Sequence, residues 1–245
     1  MDLGLKGKVA LVTGAGSQIG YGKGIVLTLA REGCDIICAD IDLDGAKKTA
    51  VEVEALGRKA MAVKVDVRSR AEVDDIVKKG LEKFSKIDIL VNNAGSSSQL
   101  RPFLAMTKED WDYDIGVNLY GQMNVAQAVL PSMISRRYGR IINTSGGQGI
   151  PNISIYGAAK AGVVMWTQAL AREVAPHGVI VNAVGPGLGE TGLVHGAPRE
   201  FLEGERQRSQ LKRLCTPNDV APLVAFLASD LCSYMVGQCI NLSTY

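Results

Sequence analysis

Tyr156 and Lys160 stand four residues apart in the run Ile155-Tyr156-Gly157-Ala158-Ala159-Lys160. Small residues come first, then Val163, Val164, Trp166 and Leu170 mark the apolar stripe of a helix. At helical pitch, positions four apart lie on one face, one turn above the other. A phenol beside an ammonium is a way to make a base. Free tyrosine titrates near ~10, and a nearby positive charge favours the phenolate. Such a base can take a proton from an alcohol or return one to a ketone. The same spacing also fits a surface tyrosine and a solvated lysine, so the pair depends for its meaning on the elements that position it.

The N-terminal third supplies those elements. Lys8 to Thr13 reads as a buried strand, followed by Gly14-Ala15-Gly16-Ser17-Gln18-Ile19-Gly20-Tyr21-Gly22 and a helical run from Lys23 to Arg31. Gly33 closes the helix, and a second strand from Asp35 ends at Asp40. In a dinucleotide fold the glycines let the backbone approach a pyrophosphate at the helix N-terminus. The acid ending the second strand then binds the adenosine ribose hydroxyls.

Further along, apolar strands alternate with amphipathic helices. The strands are expected at 8–13, 35–40, 59–65, 87–91, 139–144, 179–184 and 238–242. The helices are expected at 23–32, 43–56, 69–84, 108–135, 155–175 and 217–229. This alternation predicts one α/β domain over 1–245, Rossmann-like and doubly wound, with about seven parallel strands covered on both faces. Segment 188–213 shows no clear periodicity. It is expected either to form a substrate lid beyond the sixth strand or to be an ordinary surface loop with a helix.

The chain has 245 residues, with 27 basic and 25 acidic side chains and a net charge of +2. That balance argues against a nucleic-acid or polybasic membrane surface. No apolar stretch reaches the roughly 18 residues of a membrane span. The start lacks a signal-peptide pattern, so a cytoplasmic protein is expected. Five cysteines without a Cys-x2-Cys pair, and only His177 and His195, suggest neither a disulfide framework nor a metal site. Cys34 and Cys38 read as buried apolar residues.

Six motifs in order now carry a family resemblance. They are Thr13-Gly14 with the later glycines, Asp66-Val67, Asn92-Asn93-Ala94-Gly95, Asn118, Tyr156-x3-Lys160, and Pro186-Gly187-x3-Thr191. Across Leu5 to Leu242 the chain resembles the short-chain dehydrogenase/reductase family. The resemblance implies that Tyr156 is the acid/base and that Lys160 lowers its pKa and binds the nicotinamide ribose. Asn118 would position a water linking Lys160 to solvent; a capping or kink asparagine is the plainer reading. Gly14, Ser17, Gly20 and Tyr21 would lie along the coenzyme phosphates. Asp66 and Val67 would hold adenine, and Asn93, Ala94 and Gly95 would line the coenzyme. Pro186, Gly187 and Thr191 would hold the nicotinamide carboxamide. Asp40 accepts hydrogen bonds from a ribose 2′-hydroxyl and repels a 2′-phosphate, and no Arg or Lys stands at 15–18, 41 or 42, which favours NAD over NADP. The implied substrate is a small alcohol or ketone, and the implied assembly a homotetramer or homodimer.

Three features depart from the family pattern. Counting back from Glu32-Gly33 puts the closing glycine pair at Gly20 and Gly22, which makes the phosphate loop two residues longer than usual. Its tip, Ser17 to Ile19, reads equally as a phosphate contact or a variable loop. The usual catalytic serine aligns with Gly146, with Ser145 one place early; Ser145 is the candidate hydroxyl donor, with a backbone amide, a water, Ser154 or Thr144 as alternatives. The chain closes on Leu242-Ser243-Thr244-Tyr245, where many relatives have Asp-Gly-Gly. The reading is therefore an NAD-dependent dehydrogenase or reductase, including a reductase of 3-oxoacyl thioesters. Its rival is a catalytically weak NAD-binding sensor or scaffold.

Overall fold

Val9 and Leu11 send their side chains into one hydrophobic cluster, and Ala10 and Val12 send theirs into another. Successive side chains of a strand point to opposite faces, so an unbroken apolar run means a strand buried on both. The computed structural model describes residues 2–98, 100–146, 150–189, 191 and 199–242. Seven parallel strands form one sheet: β1 (Val9–Thr13), β2 (Asp35–Asp40), β3 (Ala60–Lys64), β4 (Ile89–Asn92), β5 (Gly139–Thr144), β6 (Val179–Pro186) and β7 (Cys239–Leu242). Their order is β3-β2-β1-β4-β5-β6-β7. The predicted doubly wound fold is observed, with strand ends within about two residues of expectation.

One face is covered by α1 (Tyr21–Arg31), α2 (Leu43–Ala55) and α8 (Pro217–Ala228), which share a core around Ile25, Ala46 and Val224. The other is covered by α3 (Arg70–Phe84), α5 (Gly121–Ser135) and α6 (Ser154–Val174), around Val73, Val125 and Leu170. Cys34 and Cys38 lie in the first core, where burial pushes both thiols up to about 12. The strand order reverses direction between β1 and β4, which opens a crevice at their carboxyl ends. Among the described residues no helix is long and apolar enough to cross a membrane.

One expectation needs correction. The single helix expected over 108–135 is α4 (Lys108–Ile115), a π-helical turn Gly116–Tyr120, and then α5. Asn118 sits in the middle of that turn, and its side-chain amide donates to the carbonyls of Asp114 at 2.8 Å and Ser96 at 2.6 Å. Such single wide turns recur at functional sites. The segment 188–213 contains a helix, α7 (Arg199–Arg208), with no fully buried residue. Gln99, Gly147, Gln148, Glu190, His195 and Ser243 to Tyr245 fall outside the described residues.

Candidate active site

A cavity of about 680 Å³ runs along the carboxyl ends of the strands. It extends from Asp40 and Asp66, at the ends of β2 and β3, to Tyr156 and Pro186, beside β5 and β6. Its middle is the glycine turn between β1 and α1. Gly14 has φ +69°, and a Cβ there would come within 2.7 Å of Asn93 Nδ2. A Cβ on Gly22 would run into the Gly14 carbonyl. Helix α1 starts at Tyr21, two residues before the expected Lys23, with Gly20 as its N-cap in extended conformation. The helix start therefore falls between Gly20 and Gly22. Its free amides and bare glycine backbone form a cradle of the kind that holds a pyrophosphate.

The loop tip divides. Ser17 lines the cavity. Gln18 turns away and donates to the carbonyls of Gly16 at 2.8 Å and Gly45 at 3.1 Å, while Lys23 donates to its side-chain oxygen at 2.9 Å. Gln18 is thus a strut that ties the longer loop to α2, and Ile19 is half exposed. Asp40 lines the cavity with both carboxylate oxygens held: Gly16 N donates to Oδ2 at 2.7 Å and Asp42 N to Oδ1 at 2.9 Å. At the neighbouring strand end, Asp66 is gripped by Arg68, whose Nε lies 3.0 Å from each carboxylate oxygen. These side-chain hydrogen bonds hold the Asp66 carboxyl below its usual range. The Arg68 guanidinium sits 5.1 Å from the centre of the Tyr113 ring. Val67 is buried against Gly121 and also lines the cavity.

In the centre, Asn93 is structural as well as cavity-lining. Its Nδ2 donates to the carbonyls of Thr13 and Gly14 at 3.0 and 3.1 Å, and the Thr13 hydroxyl accepts from the amides of Asn93 and Ala94. Gly95 lies between Asn118 Oδ1 and Lys160 Nζ, which would stand 3.1 and 3.3 Å from a Cβ there. Asp114, Asn118 and Gln122, spaced four apart, are all buried. Gln122 Nε2 donates to the carbonyls of Asn118 and Thr144, each at 2.9 Å. Asp114 Oδ1 accepts from Ser98 N at 2.7 Å, and burial raises its carboxyl above the usual range.

Tyr156 and Lys160 lie on α6, 7 % and 1 % exposed. Lys160 Nζ is 5.6 Å from the centre of the Tyr156 ring and donates to Thr144 O at 2.9 Å. Burial pushes the lysine down to about 7 and the phenol up to about 12, with the Asp114 charge adding to the latter. The expectation of a lowered phenol is corrected by the protein's own groups. Desolvation disfavours both charged forms, and the ammonium faces a carbonyl rather than the phenol oxygen.

The oxyanion position takes an unexpected form. Ser145 lines the cavity but is 2 % exposed, and its Oγ lies 3.3 Å from Cys239 Sγ on β7. Gly146 has φ +102°, and a Cβ there would come 3.0 Å from Pro186 O. The Thr144 hydroxyl is buried without a hydrogen-bond partner on the cavity wall. Ser154 Oγ faces Met106 Sδ at 3.9 Å. Pro186, Gly187 and Thr191 line the cavity at the exit of β6.

Every expected site residue lines the cleft except Asn118, which is buried behind it. Sequence reading missed Arg68, Tyr113, Asp114 and Gln122. The i, i+4 spacing of Asp114, Asn118 and Gln122 was a usable signal, because polar residues recurring on one buried face need shared partners.

A doubly wound sheet with a glycine cradle at its switch point and a buried Tyr–Lys pair defines a nicotinamide-coenzyme oxidoreductase. The chain belongs to the short-chain dehydrogenase/reductase family and is an oxidoreductase acting on CH–OH groups. The family model described as enoyl-(acyl carrier protein) reductase matches residues 14–243. The 3-oxoacyl-[acyl-carrier-protein] reductase FabG of Thermotoga maritima is 40% identical over 241 residues, covering 97% of each chain. Oxidoreductase UcpA of Salmonella typhimurium is 42% identical over 245 residues, covering 95% of this chain and 92% of that one. Among solved structures, the 3-ketoacyl-(acyl-carrier-protein) reductase of Brucella melitensis complexed with NADH superposes with a TM-score of 0.91 at 35% identity, covering 98% of each chain.

Proposed function

We propose that the protein is an NAD-dependent enzyme interconverting a secondary alcohol and a ketone, with 3-oxoacyl or 3-hydroxyacyl thioesters as the first substrate class to test. The carrying observation is Tyr156 and Lys160, buried together at the end of a cleft whose other end holds Asp40. The coenzyme, when bound, supplies or accepts the hydride. Tyr156 gives its phenol proton to the developing alkoxide, or takes the alcohol proton in the reverse direction. Lys160, fixed by Thr144 O, holds the coenzyme ribose and, once charged, favours the phenolate. Asn118, set in the π-helical turn, positions a water that links Lys160 to solvent.

Asp40 selects NAD. Its carboxylate is fixed at the cleft wall by the amides of Gly16 and Asp42, where it accepts from ribose hydroxyls and repels a 2′-phosphate. Asp66 and Val67 sit at the adenine end, with Ala94 and Gly95 beneath the coenzyme and Pro186, Gly187 and Thr191 at the carboxamide. Ile150, Ile153 and Phe201 give the Tyr156 end an apolar wall suited to an acyl chain. The segment 188–213 serves as the lid. The expected setting is cytoplasmic, as a homotetramer or homodimer.

The left-handed Gly146 keeps a second reading in view, a coenzyme-binding sensor with weak catalysis. The test is turnover of NADH with a panel of acetoacetyl thioesters and simple ketones. Turnover supports the enzyme; tight NADH binding without turnover across the panel supports the sensor.

A further inference from the structure

The phenol of Tyr21 reaches out of the glycine turn to the far side of the cleft. Tyr21 is the first residue of α1, yet its Oη donates to the carbonyl of Gly187 at 3.0 Å, beyond the end of β6. The slot that receives it is built for it. A Cβ on Gly189 would collide with Tyr21 Oη and come within 2.7 Å of Cys215 O. A Cβ on Gly187 would come within 2.7 Å of Leu242 O. The Gly187-Leu188-Gly189 segment is then held from the other side by Cys215, whose amide donates to Leu188 O at 2.9 Å, and Gly189 pairs with Cys215 in a β-bridge. Thr191 N donates back to Gly189 O at 2.8 Å.

Position decides what this contact can control. The sheet places Asp40 and Asp66 over β2 and β3, and Tyr156 with Pro186 over β5 and β6. A dinucleotide whose ribose meets Asp40 would then lay its redox ring beside Tyr156 and the Pro186–Gly189 backbone. Tyr21 joins the phosphate cradle in the middle to that backbone. We propose that Tyr21 is a positioning residue for the nicotinamide half of the coenzyme site, its hydroxyl fixing the Gly187–Gly189 exit of β6. The role rests on the coenzyme reading above. Burial raises the Tyr21 phenol above its ordinary range, which keeps it a neutral donor to the Gly187 carbonyl.

The test compares two probes in calorimetry on the full chain, wild type and Tyr21→Phe. NADH carries the nicotinamide; ADP-ribose lacks it. Phenylalanine keeps the ring packed and removes only the hydroxyl. Loss of one part-buried hydrogen bond predicts NADH binding weakened roughly five- to tenfold. ADP-ribose affinity should stay within about twofold. Equal weakening of both probes would place the effect in the phosphate cradle and overturn the proposal. So would unchanged NADH affinity. Wild-type protein that binds neither probe would overturn the coenzyme reading itself and this role with it.

Discussion

Lys160 Nζ donates to the main-chain carbonyl of Thr144 at 2.9 Å, joining α6 to the end of β5 from inside the protein. The same carbonyl accepts from Gln122, and the Thr144 amide donates to Gln122 Oε1 at 3.3 Å. The lysine proposed to serve Tyr156 is therefore also a tie between a helix and the sheet. Its chemistry should be visible in stability as well as in turnover.

The sign of that effect follows from the shift. Lys160 is pushed from 10.5 down to about 7. Between those values the unfolded chain binds a proton that the folded chain does not, so this group makes stability rise with pH. The slope is at most ~1.4 kcal/mol per pH unit. Cys34 and Cys38, raised from 9.0 to about 12, act in the opposite sense above pH 9.0. Tyr156, raised from 10.0 to about 12, joins them above pH 10.0. Urea unfolding between pH 7 and 9 should show a rise in the wild type that Lys160→Met lacks. Parallel profiles for the two proteins would mean that the buried lysine keeps its ordinary affinity for protons.

Asp40 should govern coenzyme choice. NADH is expected to bind at least about tenfold more tightly than NADPH, a difference of about 1.4 kcal/mol. Asp40→Asn should narrow the gap while keeping one acceptor for the amides of Gly16 and Asp42. Calorimetry with both coenzymes checks this, and equal wild-type affinities would remove Asp40 from the role.

Ser145 is expected to matter little to the chemical step, because its hydroxyl is directed at Cys239. Ser145→Ala should cost only a few-fold in kcat, against the roughly hundredfold or greater loss typical of an oxyanion donor. Gly146→Ser does not restore a missing serine. At φ +102° a side chain is strained, which costs about 1–3 kcal/mol. The variant should lower the thermal midpoint without raising turnover.

Much of this site was legible in the chain because its parts are local. The run Val9 to Thr13 is apolar on both faces, so it could only be an interior strand. The glycines at 20 and 22 marked the phosphate turn, although α1 starts two residues before the expected Lys23, and Asp40 ends the second strand as expected. The rest is set by contacts between distant segments. Nothing around Asp66 announces that Arg68 would occupy its carboxylate while lying over Tyr113. The π-helical turn at Asn118 depends on the carbonyl of Ser96, 22 residues earlier in the chain. The hydroxyl of Ser145 was oriented by Cys239, 94 residues later. The helix expected as one reading of 188–213 is α7, but its bounds and the turn of Phe201 toward the cavity depend on contacts outside the segment.

The central claim is that Tyr156 moves the proton of an NADH-linked carbonyl reduction. The direct measurement is NADH oxidation with acetoacetyl thioester as the first substrate, at saturating coenzyme, for wild type and Tyr156→Phe, with NADH affinity measured on both. The account predicts that the variant loses roughly 10²–10⁴-fold or more in kcat and binds NADH within about twofold of wild type. Substantial turnover by Tyr156→Phe, with fold and NADH binding intact, would contradict it and assign the proton to another group.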